Sequence, residues 1–132
     1  MTNFINMNNG FFLVIMIFLH VVADFNMQSS SVNLKEKKYW ENQGEKNKFD
    51  YVMPLIGHAF QWSFMVHVPI MLYCIVTNSL EELCYFSIVI NSFIHAGIDT
   101  LKANDKKINL IQDQWLHMLQ IIATWAIFCW SK

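Results

Sequence analysis

Three pairs of ionisable residues lie inside or beside strongly apolar runs, each pair four positions apart: His20 with Asp24, His95 with Asp99, and Asp113 with His117. On a helix that spacing stacks both side chains on one face, with Cβ atoms about 5–6 Å apart. An apolar chain carrying such pairs has few folds open to it, because each carboxylate must find a partner away from hydrocarbon. Imidazole nitrogen and carboxylate oxygen are also the donors a zinc-like divalent ion accepts. Paired histidines at the same spacing hold the metal on zinc-protease helices.

The chain has 132 residues, of which 55% are apolar and 14% charged. Soluble domains carry about 25% charged residues, so this chain belongs to another class. Its net charge is -1 and all nine cations are lysines, lying almost wholly between the apolar runs. No basic face suited to nucleic acid is visible. Cys74, Cys84 and Cys129 stand singly in apolar stretches without C-x-x-C spacing, which reads as small buried hydrophobes.

Taken in order, the sequence predicts an all-α, single-domain, four-helix transmembrane bundle over residues 1–132, with helices at about 4–25, 51–76, 83–99 and 113–130. The first apolar run lacks a positive n-region and an A-x-A-like site, so it reads as a membrane helix in place of a cleaved signal peptide. Polar links fall at 26–50 and 100–112. Within the first, a short amphipathic helix over 32–40 is expected to set Leu34, Tyr39 and Trp40 at headgroup level. The second apolar segment is longer than the roughly 20 residues a bilayer needs, so it should tilt or bend near Pro69. Trp62, Trp115, Trp125 and Trp130 read as interface anchors and packing.

Eight of the nine lysines flank the links after helices one and three, whereas the link after helix two has two glutamates and none. The positive-inside rule then puts both lysine-rich links in the cytoplasm and both termini outside. In an up-down bundle the end of helix one, the end of helix three and the start of helix four share one level, so all three pairs should meet there. His58, about two turns into helix two, falls at the same level. His67, two and a half turns beyond, points to the opposite face, roughly 13 Å deeper. Gln28 and Lys102 continue the stripes of Asp24 and Asp99, and Gln114 adjoins Asp113.

The segments His20 to Gln28 (HVVADFNMQ), His95 to Lys102 (HAGIDTLK) and Asp113 to His117 (DQWLH), with a lone helix-two histidine matched to His58, resemble in order and type a family of small bacterial and phage membrane proteins, domain of unknown function three-three-zero-seven. That family brings no established activity. Its inward His and Asp pairs are more distantly similar to membrane-bound metal-dependent hydrolases and to zinc-dependent phospholipase C and P1-type nucleases. This wider resemblance implies phosphoester hydrolysis by analogy of helical metal sites alone.

The residues predict one or two divalent ions, zinc by preference, held among His20, Asp24, His58, His95, Asp99, Asp113 and His117. Asp24, Asp99 or Asp113 is expected to take a proton from metal-bound water. Lys102 is expected to steady an anion or to mark the membrane interface. Gln28, Gln114 and His67 are expected to orient ligands or substrate, with a hydrogen bond to a neighbouring helix the alternative for His67. The leading expectation is a hydrolase of the cytoplasmic membrane acting on a phosphorylated lipid or other anionic substrate. Its rival is a non-enzymatic metal-binding membrane protein: a carrier of metal or protons, or an interaction module stapled by its ion. Oligomerisation is compatible with either.

Overall fold

The computed structural model describes residues 9–27 and 32–131, and among them every regular element is helical. Helix α1 (Asn9–Val21) passes into a single π-helical turn (Val22–Asn26). A 3₁₀ turn (Val32–Lys35) and the short helix α2 (Lys37–Glu41) follow. The long helices are α3 (Val52–Thr77), α4 (Glu81–Ala103) and α5 (Leu110–Trp130). Gln28 lies outside the described residues.

Local chemistry explains the boundaries. Helix α3 ends where Asn78 takes the left-handed conformation (φ 51°), a C-terminal device in which Asn costs little. Its 26 residues span about 39 Å at 1.5 Å per residue, against about 30 Å of hydrocarbon in a bilayer. Helix α5 opens at Leu110, three residues before the expected start, because Asn109 and Gln112 form a reciprocal capping box. The expected amphipathic helix over 32–40 is broken in two by extended Glu36. Tyr39 is exposed, Leu34 and Trp40 are half-buried, and the Trp40 indole donates to the Leu34 carbonyl (2.7 Å).

Helices α3 and α4 form the most extensive pair, with α1 and α5 packed around them. The apolar core runs through Met16, Trp62, Val66, Ile70, Cys74, Cys84, Ile88, Ile121 and Phe128. Cys74 and Cys84 are thus buried hydrophobes, while Cys129 is half-buried.

Polarity is inverted elsewhere. His20, Lys35, Ser63, His67, Asn91, His95, Asp99, Asp113, His117, Gln120 and Thr124 are buried. Phe11, Phe18, Phe60, Phe64, Phe86, Phe93, Trp115 and Trp130 face outward. Helices α3 and α4 are long and apolar enough to cross a membrane, whereas the apolar stretch over Gly10–Asn26 is shorter. Helix α5 has the length, at 21 residues, but carries Asp113, His117 and three glutamines.

Candidate metal centre

The ends of the long elements deliver their polar residues to one interior. Asp24 comes from the π turn, His58 from the second turn of α3, His95 and Asp99 from the end of α4, and Asp113 and His117 from the start of α5. His58 Nε2 lies 3.3 Å from Asp24 Oδ1 and 3.7 Å from Asp99 Oδ2. His95 Nε2 is 3.9 Å from Asp24 Oδ1 and 3.8 Å from Asp99 Oδ2. His117 Nε2 is 3.4 Å from Asp113 Oδ1 and 3.6 Å from Asp99 Oδ1. Asp99 therefore presents one oxygen to His58 and His95 and the other to His117.

These separations suit a shared cation. Donors about 2.0–2.2 Å from a tetrahedral zinc stand about 3.3–3.6 Å from one another. Three sets have donor atoms mutually within 4.8 Å: Asp24, His58 and His95; His95, Asp99 and His117; and Asp24, Asp113 and His117. Buried His and Asp groups here could hold a metal ion. An independent sign comes from unsatisfied atoms: both ring nitrogens of His95, both of His117, and Asp113 Oδ1 are buried without a hydrogen-bond partner. Each such atom costs about 1–3 kcal/mol when left unpaired. A cation among the rings and carboxylates would satisfy Nε2 of each histidine and the aspartate oxygen together.

His20, expected as a ligand, joins none of these sets. The Trp62 indole N–H can only donate, and it lies 2.8 Å from His20 Nδ1, so that nitrogen is bare. Nε2 then carries the hydrogen and donates to Gln114 Oε1 at 3.1 Å. The Gln114 amide in turn donates to Asp24 Oδ2 (3.0 Å) and Asp113 Oδ2 (3.1 Å). His20 and Gln114 thus hold two carboxylates in place. Trp62 also stacks on His95 at 4.2 Å, and His95 on His117 at 4.0 Å. The indole is fully buried, unlike exposed Trp115 and Trp130, so it serves the interior and is no interface anchor.

His67 stands apart from the sets. It donates through Nδ1 to the Ser63 carbonyl (2.7 Å) and accepts at Nε2 from the Ser87 hydroxyl (2.8 Å), bonding across to a neighbouring helix. Asn91 continues this polar seam, donating to Ser87 and accepting from Gln120 (2.8 Å) and Thr124 (3.2 Å) of α5.

Two ammonium groups reach the cluster. Lys102 Nζ donates to Asp113 Oδ2 at 2.5 Å. Lys35, in the link and 3% exposed, pairs with Asp99 Oδ2. Lys102 is legible in the sequence from its helical stripe. The sequence alone gives no such sign of Lys35, which lies 64 positions from Asp99 on a segment without helical period.

A family model described as Protein of unknown function (DUF3307) matches residues 12–132. No curated protein and no solved structure matches the chain significantly, so the wider likeness to metal-dependent hydrolases, phospholipases and nucleases has no support from these comparisons.

Proposed function

We infer the chemistry from the site itself, because the chain belongs to that family of unknown function, matched over residues 12–132, and the family supplies no activity. We propose that the protein is a multi-pass protein of the cytoplasmic membrane and a metal-dependent hydrolase of phosphoester bonds. Its substrate is a lipid or other anionic molecule at the inner surface. The observation that carries this reading is the convergence of Asp24, His58, His95, Asp99, Asp113 and His117, with Nε2 of His95 and of His117 and Oδ1 of Asp113 buried and unsatisfied.

Membrane placement of all four long elements rests on the inverted polarity. Outward apolar side chains cover α1 and α5 as well as α3 and α4, and soluble monomers rarely expose apolar surface on this scale. Lysines 35, 37, 38, 46 and 48 on one link, and 102, 106 and 107 at and beyond the end of α4, support the reading that the cluster end faces the cytoplasm.

Zinc is the ion that best suits a mixed imidazole and carboxylate set. When bound, it supplies a nucleophilic water that ionises near neutral pH and polarises a phosphoryl oxygen. Of the chain's own groups, His58, His95 and His117 donate neutral nitrogens. Asp24, Asp99 and Asp113 offset the positive charge, and whichever carboxylate is not coordinated accepts the water's proton. Water adds to phosphorus, the ester P–O bond breaks, and the proton leaves with the alcohol. A lipid substrate is favoured by a groove lined by Phe25, Leu110, Ile111, Trp115 and Met118 with Gln114 among them, the same Gln114 that bonds Asp24 and Asp113.

The second reading is a non-enzymatic metal module in which the ion staples helices. Lys35 and Lys102, already paired with Asp99 and Asp113, favour it, because they balance two of the three carboxylates. Full-length protein purified in maltoside detergent should contain near-stoichiometric zinc and hydrolyse members of a phospholipid and phosphomonoester panel, with activity lost to chelator and restored by zinc. Zinc without turnover would leave the staple, and protein with no divalent metal after metal-replete growth would remove both readings.

A further inference from the structure

Three aspartates and two lysines share the cluster, so with neutral imidazoles its side chains sum to a charge of -1. One divalent ion makes the site +1 and two make it +3, and either state calls for an anion. Asp99 Oδ2, which receives Lys35, is also the oxygen facing His58 and His95. An ion bound between those rings would therefore stand next to the Lys35 ammonium, a repulsion that an oxyanion placed between them removes.

Lys35 is carried there by a dedicated clamp. The Asn104 side chain, at the end of α4, donates to the Lys35 carbonyl (3.1 Å) and accepts from the Lys37 backbone N–H (2.7 Å). Lys106 adds an ion pair to Glu36 between them (3.5 Å). Three successive link residues are thus tied to the segment that also carries Lys102. A lysine that merely snorkels needs no such backbone fixing.

Building on the metal-site reading above, we propose that Lys35 and Lys102 form a two-ammonium seat for a phosphate group beside the ion, with the Asn104-clamped link as its positioning device. In the absence of ligand each ammonium rests on a carboxylate. With ion and phosphate bound, Asp99 and Asp113 would serve the ion and the Lys35 and Lys102 ammonium groups would turn to phosphate oxygens, strong charge-assisted contacts. Metal and phosphate should then bind with positive and reciprocal linkage.

The test is a zinc titration of the full chain in maltoside detergent against a chromophoric chelator, with and without inorganic phosphate, at matched free zinc. A parallel arm adds phosphatidic acid or phosphatidylcholine. Phosphate or phosphatidic acid should tighten zinc binding roughly tenfold, within the usual range for linked sites. Lys35→Gln should keep the zinc stoichiometry and bring the effect below about threefold. Asn104→Ala, which touches neither ion nor anion, should lower the effect in the same direction while the helical circular dichroism stays unchanged. A response to phosphatidic acid alone assigns the seat to a lipid headgroup, and one to inorganic phosphate assigns it to the free ion; both support the seat. Full linkage in Lys35→Gln overturns the seat and leaves the metal site standing. A wild type that binds no zinc overturns both.

Discussion

The Trp62 indole donates to Nδ1 of His20 across 42 positions of sequence, and that one bond decides which ring nitrogen of His20 carries hydrogen. The tautomer then dictates the orientation of Gln114, and Gln114 the placement of Asp24 and Asp113. Such supporting contacts typically change metal affinity 10–100-fold when removed. Trp62→Phe keeps an aromatic ring to stack on His95 and deletes the donor, together with part of the buried ring volume. Zinc competition should show about a tenfold weaker site in a protein whose helical circular dichroism is unchanged. Unaltered affinity would show that the indole does not set the relay.

The two kinds of buried histidine should part company on substitution. His95→Ala and His117→Ala each remove a donor from the overlapping sets, and zinc binding should fall by more than about 100-fold, beyond the range of supporting contacts. His67→Ala removes the bonds to Ser63 and Ser87 and the edge contact with Phe128, but no candidate metal donor. It should retain zinc while losing about 0.6–2 kcal/mol of stability, the scale of interhelical polar contacts in membranes. Elemental analysis of the three purified variants separates the groups.

Asn91 joins α4 to α5 through Gln120 and Thr124, and Asn91→Leu removes both bonds to its side-chain oxygen, leaving Gln120 its bond to the residue-91 carbonyl and Thr124 its bond to the Gln120 carbonyl. A stability loss of about 1–3 kcal/mol is expected on unfolding in mixed micelles. Zinc stoichiometry should hold, because none of the three residues lies among the candidate donors.

An ion bound only by the folded state stabilises it by mass action, by about 2.7 kcal/mol when present at a hundred times its dissociation constant. Thermal unfolding with and without chelator should show that difference in the wild type. Asp99→Asn, which weakens the carboxylate facing all three histidines, should show little of it. A chelator effect of equal size in the variant would place the ion elsewhere.

Topology is open to labelling. With the three native cysteines replaced by alanine, a cysteine at exposed Glu81 should react with a membrane-impermeant maleimide in intact cells, and one at exposed Lys46 only after lysis. The reverse pattern would turn the protein over and place the cluster outside.

Much of the candidate centre was legible because helical periodicity and up-down topology act on residues close in sequence. His95 with Asp99 and Asp113 with His117 needed only a spacing of four, and His58 only a level. What stayed hidden depends on contacts that no local pattern encodes. Lys35 reaches the cluster through Asn104, 69 positions away, on a stretch too short and irregular to carry a period. His20 shares the spacing of a ligand, yet its two nitrogens are occupied by Trp62 and Gln114. The turn that carries Asp24 is π-helical, a local widening often found at functional sites, and its register departs from the 3.6-residue spiral assumed from sequence. That α3 and α4 are long and apolar enough to cross a membrane is plain from sequence. The outward apolar faces of α1 and α5 emerge only from the packing.

None of the three donor sets lies on a single helix: one draws on the π turn, α3 and α4, another on α4 and α5, the third on the π turn and α5. Captured there, an ion would act as a proofreader of insertion. On the proposed multi-pass reading it would be retained only where the elements of its donor set thread the bilayer in the right direction and settle at matching depth, while a span threaded backwards would carry its donors to the far leaflet and forfeit the ion.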